Sequence, residues 1–85
     1  MLEGDLLLFG CLNDFESKLG SRWSLAGPET RVSALLEELS ERAPGLDSVI
    51  NTPFFKVAVN NKVEPLDWVL SDGDTVALLP PVTGG

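Results

Sequence analysis

Histidine is missing from the 85 residues, cysteine occurs once, and lysine and arginine together number only six. Each shortage removes a class of function. Without imidazole there is no Ser-His-Asp catalysis, no His-ligated metal site and no side chain that titrates unperturbed near neutrality. One thiol cannot close an internal disulfide, and Cys11 fits a reducing compartment as a small packing residue at a strand end. Six basic against thirteen acidic side chains leave a formal charge of −7, which repels nucleic-acid phosphates and anionic lipid head groups. Neither nucleic acid nor membrane is therefore expected as a partner. Long apolar runs are missing as well. Leu6 to Phe9 is too short for the apolar core of a signal peptide, and the acidic start Met1-Leu2-Glu3-Gly4-Asp5 has the wrong sign for one. Nothing approaches the ~20 apolar residues that cross a bilayer, so a soluble, cytoplasmic protein is expected. At 85 residues and 44% hydrophobic, the chain makes one compact domain, too small for most self-contained enzymes. A subunit or binding module, not catalytic alone, is the expectation.

The order of elements is read from local pattern. Leu6-Leu7-Leu8-Phe9, ended by Gly10, reads as a strand. Asn13 to Leu19 reads as a short helix, with Asn13 as N-cap, Glu16 three residues on and Gly20 as the stop. Arg22 to Leu25 alternates, placing Trp23 and Leu25 on one face of a second strand. Thr30 then caps the main helix, in which Val32, Leu35, Leu36, Leu39 and Ala43 recur at helical spacing before Pro44-Gly45 ends it. Leu46 to Pro53 is ambiguous, with room for one helical turn. Phe55 to Asn60 alternates as a strand, Asn60-Asn61 offers a turn, and Lys62-Val63 is a short return strand. Pro65 stops that strand, leaving Leu66 to Leu70 irregular with Trp68 plugging the core edge. Ser71 to Asp74 is a turn, and Thr75 to Leu79 is the last strand, closed by Pro80-Pro81.

These elements predict an α+β fold, a small mixed sheet with one long helix across one face. One helix covers one face only, so the other face should carry polar residues at alternate positions. The first and last strands do not comply. Leu6 and Leu8 alternate with Leu7 and Phe9, and Val76 and Leu78 alternate with Ala77 and Leu79. Either loops bury both faces, or an apolar patch is left open for a partner protein.

After Leu79 come Pro80-Pro81-Val82-Thr83-Gly84-Gly85, which form no ordinary element. Extended, they reach roughly 20 Å, with a stiff proline base and a tip of bare main chain. Three segments, Val57-Ala58-Val59-Asn60, Leu70 to Ala77, and Leu79-Pro80-Pro81-Val82-Thr83-Gly84-Gly85, together resemble the ubiquitin-like (β-grasp) sulfur carriers, most closely the small subunits of molybdopterin synthase. The resemblance is closest over Val57 to Gly85. The N-terminal half agrees in layout, although Cys11-Leu12-Asn13-Asp14 lacks the Arg-Glu pair associated with the start of that family's first helix. The resemblance implies a β-grasp domain over residues 1–79 and a flexible tail over 80–85.

Chemically, the resemblance implies that the Gly85 carboxylate is adenylated with ATP by a partner adenylyltransferase and converted to a thiocarboxylate. The sulfur then passes to cyclic pyranopterin monophosphate in the large subunit, the two subunits forming a heterotetramer. An α-carboxylate is a poor electrophile, and the mixed anhydride with AMP supplies a leaving group. No permanently bound cofactor and no metal is expected. Gly84 and Gly85 suit a narrow channel, Thr83, Val82, Pro81 and Pro80 deliver them, and strand parity gives Phe9, Val63 and Leu79 a shared face that could seat the domain at the channel mouth. Alternatives within the same fold are a carrier for tRNA thiolation or thiamine synthesis, or a modifier joined to lysines through Gly85. A non-catalytic β-grasp interaction domain with incidental glycines is the alternative from another class.

Overall fold

The computed structural model describes residues 1–81, arranged as a five-stranded mixed sheet with three short-to-medium helices on one side. In chain order the elements are β1 (Leu2–Leu8), a 3₁₀ segment (Gly10–Phe15), α1 (Glu16–Leu19), β2 (Arg22–Leu25) and α2 (Val32–Arg42). They continue with α3 (Leu46–Ile50), β3 (Lys56–Val59), β4 (Lys62–Glu64) and β5 (Val76–Leu79). The strand order is β2-β1-β5-β3-β4, with β1 and β5 parallel and every other pair antiparallel. This is the mixed sheet expected from the element order, in the β-grasp arrangement that the resemblance implies.

The two strands that are apolar on both faces, β1 and β5, are neighbours inside the sheet, where each is flanked on both edges. Their inward residues Leu6, Val76 and Leu78 join Val57, Val59, Trp23 and Leu25 beneath the helices. From above, α2 contributes Val32, Leu35, Leu36 and Leu39, with Ala43 just past its end, all five buried as their spacing requires. Leu12, Leu19 and Leu46 close the core from the shorter helical segments.

Several local expectations are corrected. β1 starts at Leu2 rather than Leu6, because Leu2 to Asp5 pair with Leu25 to Arg22 and are drawn into the sheet. Asn13 is not a helix cap. The chain enters a 3₁₀ turn at Gly10, with Leu12 N–H donating to Phe9 C=O at 3.1 Å, so Asn13 lies inside that turn and the α-helix shrinks to four residues. A 3₁₀ turn has three residues per repeat, which sends Leu12 and Phe15 inward and leaves Cys11 exposed, not packed. Thr30 does not cap α2 either. Arg31 occupies the cap position without a side-chain bond, and the free amides of Val32 and Ser33 donate to the carbonyls of Trp68 and Leu66, both at 2.9 Å. A loop distant in sequence caps the helix. That role holds the Trp68 backbone against α2 while its indole stays 41% exposed, so Trp68 does not plug the core; Trp23, fully buried, is the core indole.

Candidate functional site

Because β1 and β5 are parallel, their C-terminal ends leave the sheet at the same edge, and the segments that continue from them meet there. Past β1 come Phe9 and Gly10; past β5 come Pro80 and Pro81. Gly10 adopts φ +57, a left-handed conformation, and a Cβ added to it would lie 3.0 Å from the Pro80 ring. Glycine there lets the 3₁₀ turn and the tail base pass each other closely. Between them and α3 opens a groove of about 770 Å³ lined by Phe9, Cys11, Val49, Thr52, Leu79, Pro80 and Pro81 among others. Apart from Cys11, no ionisable side chain lines it. Among the described residues the groove is therefore a carbon-lined surface suited to binding, with the Cys11 thiol as its one ionisable group.

On the sheet face without helices, cross-strand partners set Leu7 of β1, Ala77 of β5, Ala58 of β3 and Val63 of β4 in one unbroken apolar row. The next rung towards the tail pairs Leu79 with Lys56, and Phe9 continues β1 on the parity of Leu7. Leu7, Phe9 and Val63 are 41%, 47% and 55% exposed, so the two-sided apolar pattern leaves an open patch rather than a face buried by loops. The structure thus gathers Phe9, Leu79, Pro80 and Pro81 around one groove and sets Val63 two strands from Leu79 on the same face. Val82, Thr83, Gly84 and Gly85, the remaining residues singled out for the tail, lie outside the described residues. Leu7, Ala58 and Ala77 were not singled out, although the period-two pattern that marked Phe9 and Leu79 also marks Leu7 and Ala77. Towards β2 the face turns charged. Arg22 donates to Glu3 at 3.0 Å and to Asp5 at 2.8 Å, and these bonds, Glu3 first, raise its guanidinium above its ordinary value.

Comparison with known proteins decides the family. The model of the ThiS family matches residues 6–85, nearly the whole chain. The chain belongs to the ThiS family. At 31% identity, with both chains covered in full, it is similar to the molybdopterin synthase sulfur carrier subunit of Mycobacterium tuberculosis (strain ATCC 25618 / H37Rv). It is 41% identical over 61 residues to the protein of that name from Chlamydomonas reinhardtii, covering 69% of this chain and 71% of the relative. Among solved structures, small archaeal modifier protein 1 of Haloferax volcanii superposes with a TM-score of 0.75 at 27% identity, over 98% of this chain and 99% of the other.

In this member of the ThiS family, one of the segments that carried the resemblance has a structural job. Asp74 accepts hydrogen bonds from Asn60 Nδ2 at 2.9 Å and from the Ser71 amide at 2.8 Å, while Asn60 Oδ1 accepts from the Thr75 amide at 2.9 Å. The Asp74 carbonyl takes the Trp23 Nε1–H at 2.8 Å, and Asp72 and Gly73 bond the backbone of Glu3. The Ser71 to Thr75 turn is therefore a clamp at the start of β5, the end opposite the tail. Among the described residues, no group of three or more Cys, Asp or Glu is placed to hold a metal ion, and no buried side-chain polar atom lacks a partner. Nor is any helix among them long and apolar enough to cross a membrane.

Proposed function

We propose that this chain is the sulfur carrier subunit of a molybdopterin synthase, working through the α-carboxylate of Gly85. The observation that carries the reading is positional. A tail with a proline base leaves the central strand at the rim of an open apolar face, in a ThiS-family chain whose full-length relative is named a sulfur carrier subunit. An apolar face next to the base of the terminal segment is what presentation to another protein's pocket requires. Among the described residues the groove holds no carboxylate, amine or imidazole and only one thiol, which supports placing the chemistry in partners.

A partner adenylyltransferase supplies ATP. The Gly85 carboxylate oxygen attacks the α-phosphorus, pyrophosphate leaves, and the acyl-adenylate forms. Hydrosulfide from a sulfur donor then attacks the acyl carbon and displaces AMP, leaving the thiocarboxylate, which the large subunit consumes on cyclic pyranopterin monophosphate in a heterotetramer. The test is to incubate the chain with its activating enzyme, ATP and a sulfur donor and to measure intact and peptide masses. One oxygen-to-sulfur exchange in the C-terminal peptide is expected, then precursor-dependent loss of that sulfur once the large subunit is added. No exchange with an activating enzyme that charges another carrier would overturn the reading.

The likeness to a protein named a modifier favours a second reading, in which Gly85 is joined to lysine amines of other proteins. The same activated end serves both. Isopeptide-linked Gly85 remnants on other proteins, with no sulfur delivery to the precursor, would select it.

A further inference from the structure

The helix layer carries a second groove, on the far side of the sheet from the open face. Its apolar floor is Leu36 of α2, Ile50 of α3 and Leu66 of the loop that caps α2, and its volume is about 540 Å³. Three carboxylates rim it: Glu37 and Glu41 on the α2 wall, and Asp47 on the α3 wall. No lysine or arginine lines it. The ion pairs among the described residues are Arg22 with Glu3 and Asp5, and Arg31 with Glu29, so none of the three rim carboxylates is engaged in one. Arg42, nearest along α2, is turned away and donates to the Leu19 carbonyl at 3.4 Å. Leu66 is 49% exposed and yet fixed, because its carbonyl accepts the Ser33 amide at the start of α2.

We infer that this groove docks a basic amphipathic helical segment of a partner protein, at the same time as the tail and open face engage another. Charge complementarity selects the occupant. Glu37 and Glu41 stand four residues apart on one helix, about 6 Å along its axis, which matches lysines or arginines spaced i, i+4 on a facing helix. Asp47 meets a cation on the opposite flank, while one or two apolar side chains between the cations fill the floor over Ile50 and Leu66. An acidic segment would meet only like charge, and an uncharged apolar one would leave three carboxylates partly desolvated without partners. The two walls belong to elements packed on one core, so the groove is preformed and little ordering is needed on the carrier's side. The groove takes Asp47 and Ile50 of α3 where the tail-base groove takes Ser48 and Val49, and it lies across the sheet from the open face, so a carrier held here keeps that face for a second protein, which raises the effective concentration at the handover. This inference does not depend on which group Gly85 carries.

The probe is a synthetic amphipathic helix with lysines at i, i+4 flanking a leucine stripe, titrated into the full chain at low ionic strength and monitored by amide chemical shifts. Shifts confined to residues around Glu37, Glu41, Asp47, Ile50 and Leu66, with Leu7 and Val63 silent, are expected. The combined variant Glu37→Gln, Glu41→Gln and Asp47→Asn should bind roughly tenfold more weakly, three rim pairs being lost. These side chains are exposed, so the variant folds, and Leu66→Ala should weaken binding with no change in salt dependence. Binding on the open face, equal binding of the same peptide with glutamates for lysines, or no binding at all would each overturn the inference.

Discussion

The two ends of β5 are three residues apart and built on opposite plans. At its start the chain is tied by side chains: Asp74 to Asn60 and the Ser71 amide, Asn60 back to the Thr75 amide, Trp23 to the Asp74 carbonyl. At its end, Leu79, Pro80 and Pro81 are half-buried in a carbon-lined groove, and no side-chain hydrogen bond to them is found among the described residues. Polar clamps fix a strand's register, and an apolar rim leaves the adjoining segment free to take the shape of whatever binds it. The difference teaches that the charged, glycine-bearing turn secures the strand, while the site lies where the sequence is plainest.

Substitutions should separate the two ends in order of their effect on stability. Gly4→Ala comes first. Its Cβ would overlap the Asp74 carbonyl oxygen and lie 2.6 Å from Trp23 Nε1, which forces the clamp apart at a cost of about 3 kcal/mol by urea unfolding. Asp74→Ala should cost ~1–2 kcal/mol, since the Ser71 amide and Asn60 lose their acceptor at a partly solvated site. Gly10→Ala, at φ +57 and against Pro80, should cost about 1 kcal/mol, and it alone should also disturb the tail base, seen as shifted Pro81 carbon resonances. Phe9→Lys should change stability by no more than ~0.5 kcal/mol while weakening affinity for the proposed large-subunit partner roughly tenfold or more. Equal losses of stability and affinity would make Phe9 a core residue and erase the contrast. Smallest of all, Cys11→Ala should leave both unfolding and the gain of sulfur at Gly85 unchanged, whereas a persulfide on the exposed thiol would abolish that gain.

Most of what depended on near neighbours was legible in the sequence, the 3₁₀ turn that displaced the Asn13 cap being the exception. The face of α2, the alternation of Arg22 to Leu25 and the Asn60-Asn61 turn, with both residues at positive φ, are all read within a few positions. The doubly apolar pattern of the first and last strands matches their interior places in the sheet. Features set at a distance escaped. The carbonyls that cap α2 come from Leu66 and Trp68, more than thirty positions on, so a local search for a cap settled on Thr30. Leu2 to Asp5 alternate weakly and become a strand only because β2 pairs with them. At the site, Phe9 and Leu79 could be matched by parity, but not the contribution of α3 to their groove. That depends on how the ambiguous Leu46 to Pro53 segment folds back.

The central position of β5 has a consequence for how the protein is made. Leu6 of β1 finds its partner in Val76, seventy positions later, so one whole edge of β1 waits with unpaired amides and carbonyls until β5 has been synthesised. Ribosomes release the N-terminal elements first, yet these cannot close a sheet whose middle is missing. A polypeptide that stops before β5 therefore exposes an apolar strand and invites proteolysis, while one that folds has already produced the segment leading into the tail. The rim at Pro80 and Pro81 therefore forms only in chains whose sheet has closed around β5.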